Sequence, residues 1–313
     1  MTVQLGSKSV RVLDVHSHLG PTEWKVPTAP AAMFDVEGQL RRMDEGGMDC
    51  AFFGNNWIRT PEGMPALEVV KRYNEFAAEV TAKHPGRLYG LASAVPYESD
   101  EFLLEAERAI RELGLKGFQI NTSTNGEYFD SVRAYPFFEL LQSLDVPAFI
   151  HPPKFTIGNE KMEIFRLPEM VGRPFDTTLT LARFILTGGF ERFPHLKLIA
   201  AHMGGAITLL PGRLDMGYEM RHDPAFGPWE PDVLTAPPST YINMLYVDTM
   251  GFHAPGVMCC VGTLGAAHVM LGSDCPPIAF PLSRTIDVVC NLPISLDDRE
   301  AILGGNAARL FGI

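Results

Sequence analysis

No run of about 18 uncharged apolar residues occurs anywhere in the chain, so the sequence offers no membrane-spanning helix. Positive charge is in short supply, with 26 Lys and Arg against 37 Asp and Glu and a formal net charge of −11. That balance argues against nucleic acid or an anionic membrane surface as a partner. It leaves room for an anionic small substrate, because one local arginine can outweigh the global sign. Cysteine is scarce: the five thiols include no C-x-x-C pair, and the adjacent Cys259 and Cys260 do not make an ordinary loop-closing bridge. Reduced thiols in a cytoplasm are the expectation. The opening "MTVQLGSKSVRVLDV" lacks an apolar signal core with a cleavage site. No Gly-x-Gly-x-x-Gly follows the first apolar run, which weighs against a dinucleotide-binding sheet. No low-complexity linker divides the chain, so residues 1–313 are expected to form a single domain.

What the chain does have is alternation. Short apolar runs at 10–16, 48–54, 87–95, 114–120, 146–151, 196–202, 242–248 and 268–274 are separated by stretches of helical periodicity. Those helices are expected at 36–47, 66–83, 100–113, 135–144, 178–187, 205–217 and 255–264, with 283–290 and 297–310 closing the series. Near-continuous apolar strands are buried on both faces, as parallel strands covered by helices must be. Eight such units in 313 residues predict an α/β fold of the (β/α)8 TIM-barrel type, with an open doubly wound sheet as the alternative. Two connections, about 152–177 and 218–241, are longer than the rest and rich in Pro, Gly and charge. Loops of that kind serve as lids or interfaces.

Several of the apolar runs end in a group that can bind a metal. In "LDVHSHLG" (13–20), His16 and His18 are two apart and project together from a strand. His151 follows "VPAFI", His202 follows "LKLIAA" and Asp274 follows "HVMLGS". One strand-end histidine alone is most simply a satisfied structural hydrogen bond. Five such groups on strands one, five, six and eight of a barrel would converge on its carboxyl-terminal rim, where active sites of that fold lie. Imidazoles plus a carboxylate suit one divalent ion, Zn2+ first and Mn2+ second.

The segments "DVHSH", "FIHPP", "AAHMGGA" and "LGSDCPP" resemble the amidohydrolase superfamily, in particular its amidohydrolase-related decarboxylase branch. The nearest likeness is to the aminocarboxymuconate-semialdehyde and γ-resorcylate decarboxylases, and it extends over essentially the whole chain. The resemblance implies an amidohydrolase-type barrel with one catalytic divalent metal, held by His16, His18, His151 and Asp274. It makes His202 the catalytic histidine, with Asp274 also moving a proton. Lys116 falls near the start of the fourth strand, away from the place of the bridging lysine of binuclear relatives, so one metal is expected. The resemblance also implies that Arg213, in "LLPGRLD", binds a substrate carboxylate in a neighbouring subunit's site, making the working unit a homodimer. A guanidinium suits that task through two parallel hydrogen bonds; a plain ion pair of Arg213 with Asp215 or Glu219 is the other reading. Two departures point to a different substrate. The branch's second carboxylate-binding arginine has no counterpart in "APAAMFDVEG", and the usual "HPW" is here "HPP" (151–153).

These features predict a metal-dependent decarboxylase of a small unsaturated or aromatic carboxylate in aromatic-compound catabolism. The alternatives are a hydrolase of a C–C bond, lactone or amide, a hydratase, or a non-catalytic metal-binding protein. Trp24, Trp57 and Trp229 lie in strand-to-helix connections, where they line a pocket or pack under loops. Asn55 and Asn56 follow the second strand and can donate to a substrate. Asp176 reads as a helix N-cap. His253 reads as a loop residue, with a reach to the mouth as the alternative, and His84, His195 and His268 as structural groups at the opposite rim. Cys275 reads as a small packing group, with a substrate contact beside Asp274 as the alternative.

Overall fold

The structure, a computed structural model, describes residues 3–26, 29–55 and 63–313. Eight parallel strands follow one another in chain order: β1 (Leu13–His18), β2 (Cys50–Gly54), β3 (Leu88–Gly90, resuming as Ala92–Ser93), β4 (Phe118–Asn121), β5 (Ala148–His151), β6 (Leu198–Ala200), β7 (Tyr246–Asp248) and β8 (Val269–Met270). Each pairs with the next. β3 belongs to both of its neighbours: Leu91 N donates to Phe53 O and Ala92 N to Gly117 O, each at 2.8 Å. Past Met270 the chain runs back alongside β1. There Val15 N donates to Leu271 O at 2.9 Å, while Asp274 N and His18 N donate to His16 O and Cys275 O at 2.8 Å. A last strand bonded to the first makes a ring. The open-sheet alternative, which requires a reversal of strand order, is set aside.

The main covering helices are α1 (Val36–Gly46), α2 (Ala66–Lys83), α3 (Asp100–Arg111), α4 (Tyr135–Leu144), α5 (Arg173–Leu186), α6 (Pro211–Glu219), α7 (Ala254–Leu264) and α8 (Leu282–Cys290). α1 shows why they stop and start where they do. The Asp35 side chain accepts from Gly38 N at 2.8 Å at its beginning, and Gly47 ends it at φ 79°. None of the helices is long and apolar enough to cross a membrane, among the described residues.

Two apolar cores sit on either side of the ring. Between strands and helices lie residues such as Phe53, Phe118, Ile120, Leu198 and Val247. Inside the ring lie Leu13, Val15, Cys50, Phe52, Leu91, Phe149, Ile199 and Met270, with Phe311 stacked on Phe52 at 3.9 Å between ring centroids. This filling makes the barrel a solid body rather than a pore. The same period of two that points Phe149, Tyr246 and Gln119 inward also points His151, Asp248 and Asn121 inward, one layer nearer the carboxyl-terminal mouth.

Several sequence expectations are corrected. The run at 10–16 is not one strand: Val3–Leu5 and Lys8–Val10 form a separate antiparallel hairpin turned at Gly6 (φ 62°), and the barrel strand begins at Leu13. The fifth helix starts at Arg173, not 178. Asp176 is therefore inside its first turn and is no N-cap; its buried carboxylate accepts from Tyr128 Oη at 3.0 Å, from Ser123 Oγ and Ile157 N at 3.3 Å, and from Thr122 Oγ1. The long connection 152–177 holds a short helical turn at Asn159–Lys161 and a π-turn at Pro168–Gly172. That at 218–241 holds Pro224–Phe226 and most of Pro238–Ile242, so the seventh strand begins at Tyr246 and not 242. The closing helix expected at 297–310 is broken by a π-turn at Ala301–Gly305.

Candidate metal centre

β1 is aimed by a bulge. Leu13 pairs with Cys50 and His18 with Gly54, so the 6 residues of β1 lie against the 5 of β2, with the register shifting between Asp14 and Ser17. The extra residue lets Val15 join the apolar interior while its neighbour His16 also turns inward, its ring 4.8 Å from that of Phe149. Asp14 fastens the bulge to the end of the barrel: it accepts from His16 N at 2.9 Å, from Ser273 N at 3.0 Å and from Ser273 Oγ. Opposite, Gly54 has no side chain because a Cβ there would lie 2.1 Å from Gln119 Oε1.

His16, His18, His151 and Asp274 meet at the mouth, each offering one buried ligand atom, and these atoms all lie within 4.8 Å of one another. The Nε2 atoms of His16 and His18 stand 3.4 and 3.0 Å from Asp274 Oδ1. Both Nε2 atoms are buried without a hydrogen-bond partner. On two imidazoles the far nitrogen is engaged: His16 Nδ1 lies 2.5 Å from Asp248 Oδ2, and His151 Nδ1 lies 2.9 Å from Pro152 O. An Nδ1–H given to an oxygen leaves Nε2 with its lone pair, the tautomer a metal ligand needs. Converging lone pairs on a buried carboxylate are satisfied together by a cation. The donor set, three imidazoles and one carboxylate, fits a divalent first-row ion.

Charge follows the same arrangement. Burial, assisted by His16 and Arg173, holds His18 below its ordinary pKa, and burial with the surrounding imidazoles holds His151 well below. Both imidazoles are neutral at pH 7, the form in which a ring nitrogen can bind a cation. Burial also opposes charge on His16, but Asp274 and Asp248 outweigh it and push that group up to about 10, so without an ion the ring holds a second proton on Nε2, in the place a cation would take. Burial likewise works against the Asp274 carboxylate, yet His16, His18 and His202 bring it well below the usual carboxylate range.

His202 stands just outside this group. It follows β6 in a tight turn, its ring 5.2 Å from that of His16 and its Nε2 3.6 Å from Asp274 Oδ2. His202, Met203 and Asp274 all have positive φ, at 57°, 59° and 56°. Non-glycine residues held there cost about 1–3 kcal/mol each and persist where their surroundings fix them. All three lie at the mouth, beside the clustered imidazoles or in the turn that follows β6.

The substrate-side expectations fare differently. Asn55 is buried beside Gly20, where a Cβ would lie 2.7 Å from its Nδ2. Trp24 is half-buried and packs on the outer core. Asn56 and Trp57 lie outside the described residues. Arg213 is exposed on α6 and makes no ion pair with Asp215 or Glu219; Asp215 accepts from Ser239 N at 2.8 Å instead. Cys275 is buried, as expected of a packing group. His253 stands at the start of α7, and His268 is held by Leu245 O at 2.8 Å. Two buried residues near the cluster lie outside the sequence expectations. Asp248 ends an apolar run, "NMLYVD", as visibly as the others do. Arg173 gives no such signal, lying inside a charged connection; burial holds its guanidinium below the usual arginine range, with Asp274 acting the other way.

A buried cluster of three imidazoles and a carboxylate at the carboxyl-terminal mouth of a (β/α)8 ring defines the class of metal-dependent barrel enzymes. The chain belongs to the amidohydrolase family, whose model matches residues 14–313. It is 32% identical over 251 residues to a 2-amino-3-carboxymuconate-6-semialdehyde decarboxylase of Dictyostelium discoideum, covering 79% of this chain and 67% of that one. It is 26% identical over 317 residues to a γ-resorcylate decarboxylase of a Polaromonas strain, covering 96% and 94%. Among solved structures, 5-carboxyvanillate decarboxylase from Sphingomonas paucimobilis superposes with a TM-score of 0.84 at 24% identity, covering 97% of this chain and 100% of that one. The family resemblance and the barrel both hold, and the chain is an enzyme of that family.

Proposed function

We propose that this enzyme is a metal-dependent decarboxylase of a small unsaturated or aromatic carboxylate, serving the breakdown of aromatic compounds. The observation that carries the reading is the buried set of His16, His18, His151 and Asp274, whose ligand atoms lie within 4.8 Å of one another. These four would hold one divalent ion. Zinc suits three imidazoles and a carboxylate; manganese is the second choice, and a Polaromonas dihydroxybenzoate decarboxylase of the same fold was crystallised with it. When bound, such an ion orients an acid and polarises an oxygen beside the reacting carbon. The names of the relatives above, decarboxylases of unsaturated or aromatic acids, support the substrate class.

The chain's own groups handle the proton. His202 Nε2 and Asp274 Oδ2, 3.6 Å apart, form a pair able to hold one proton and pass it to the carbon that bears the carboxylate. As that C–H bond forms, the C–C bond to the carboxylate breaks, and its electron pair returns to the ring or chain while CO2 leaves. A hydratase reading has one specific support, a 2-keto-4-carboxy-3-hexenedioate hydratase of Sphingobium 26% identical over 295 residues. Incubation with candidate acids separates the two. Release of one CO2 per substrate consumed is expected, and conversion without CO2 would overturn the decarboxylase reading.

Two arginines are the groups to grip a substrate carboxylate. Arg173, at the start of α5, is buried and charge-coupled to Asp274 and His18. Arg213 would act on a neighbouring subunit's site in a homodimer. The connection before α5, the first turn of α5 and the turn before α6 expose Phe155, Phe165, Phe175 and Leu209, each at 63% or more, apolar side chains that a second copy could cover. Asn55 and Trp24 complete the proposed substrate side. Arg173→Met is expected to raise KM about tenfold or more with little change in metal content, in line with the 1.5–3 kcal/mol of a charged hydrogen bond. Arg213→Met does so only where light scattering gives twice the 34.5 kDa chain mass. An unchanged KM in both variants would remove these arginines from the site.

A further inference from the structure

We propose that Asp248 is the positioning residue that ties the metal ligand His16 to the proton-handling His202. The inference rests on the functional reading above. Asp248 is fully buried at the end of β7 and is shared between two tasks. Its Oδ2 lies 2.5 Å from His16 Nδ1, which donates to it and so keeps the Nε2 lone pair facing the ligand cluster. Its Oδ1 accepts from Met203 N at 2.9 Å and from Met250 N at 3.1 Å. Met203 is the residue after His202, and both have positive φ, so this bond pins the turn that presents His202. Gly272 makes room for the pair: a Cβ there would lie 2.7 Å from the Asp248 Cβ and 3.0 Å from that of His16.

An amide in place of this carboxylate cannot do both jobs. If its NH2 faces His16, it donates to Nδ1, and the ring must carry its proton on Nε2, where the ligand lone pair is needed. If its oxygen faces His16, the NH2 confronts the N–H groups of Met203 and Met250, and the His202 turn moves. Asp248 thus sets the tautomer of one histidine and the place of another through a single side chain.

The test is Asp248→Asn against the wild type, with zinc affinity read by chelator competition and turnover read at saturating zinc. Affinity is expected to fall 10–100-fold, the usual effect of losing such a partner. At saturating zinc, kcat is expected to fall further, with a displaced pH profile. Affinity, kcat and pH profile all at wild-type values would overturn the proposal. A wild type that binds no zinc or manganese would instead defeat the functional reading itself, and this inference with it. The zinc-loaded wild type gives a check that does not depend on the variant folding. Nitrogen-15 spectra of the His16 ring should show the proton on Nδ1, and a proton on Nε2 would end the proposal.

Discussion

Asp274→Asn is expected to cost the enzyme both its ion and its turnover. The carboxylate is the one negative group among the four clustered residues, and the amide that replaces it keeps the shape and loses the charge. A divalent ion facing three neutral imidazoles in a buried site is then poorly compensated. Removing one partner of a buried charge pair costs about 3–5 kcal/mol. At 1.4 kcal/mol per tenfold, that corresponds to roughly 10²–10⁴ in metal affinity. The variant also lacks one end of the proton-holding pair with His202, so adding excess metal is expected to restore occupancy without restoring kcat. Calorimetric metal titration and CO2 release at high metal read the two effects separately. Full activity at saturating metal would show that Asp274 only holds the ion and moves no proton.

His202→Ala is expected to separate the two roles in the opposite way. His202 lies 3.6 Å from Asp274 Oδ2 and is not one of the four residues whose ligand atoms cluster. The variant should keep its ion at wild-type affinity. Its kcat should fall by about 10²–10⁴, the usual span for loss of a general acid or base. Metal content by elemental analysis, taken beside kcat, decides it. Loss of the ion in this variant would place His202 among the ligands.

The candidate site was more legible than the strand boundaries around it, for a physical reason. A barrel strand feeding a polar mouth switches from apolar to polar at its end. The switch marks His16, His18, His151, His202 and Asp274 whatever the exact strand length. The hydrogen-bonded strands themselves are shorter than the apolar runs: β8 is only Val269–Met270, because Leu271 to Cys275 leave the β7 side and bond to β1 and Ile302. Asp248 obeys the same rule at the end of β7, but the apolar run before it extends back to 242 through residues that are helical, which blurs the strand end. The bulge in β1 leaves no trace in residue types, since Asp14, His16 and His18 keep a spacing of two. Asp176 shows the limit of local reading. Its side chain sits near a helix start, as a cap would, but its partners Thr122, Ser123 and Tyr128 come from the β4 connection. Arg173 was invisible for the converse reason: nothing in "VGRPFD" distinguishes a buried arginine from a solvated one.

One divalent ion among His16, His18, His151 and Asp274 is expected to be required for turnover. Metal analysis of the purified enzyme, repeated after chelation and again after re-addition, tests it in one experiment. One equivalent of zinc or manganese per chain is expected, with activity lost as the ion is removed and recovered as it returns. Undiminished turnover by protein stripped of metal would contradict it.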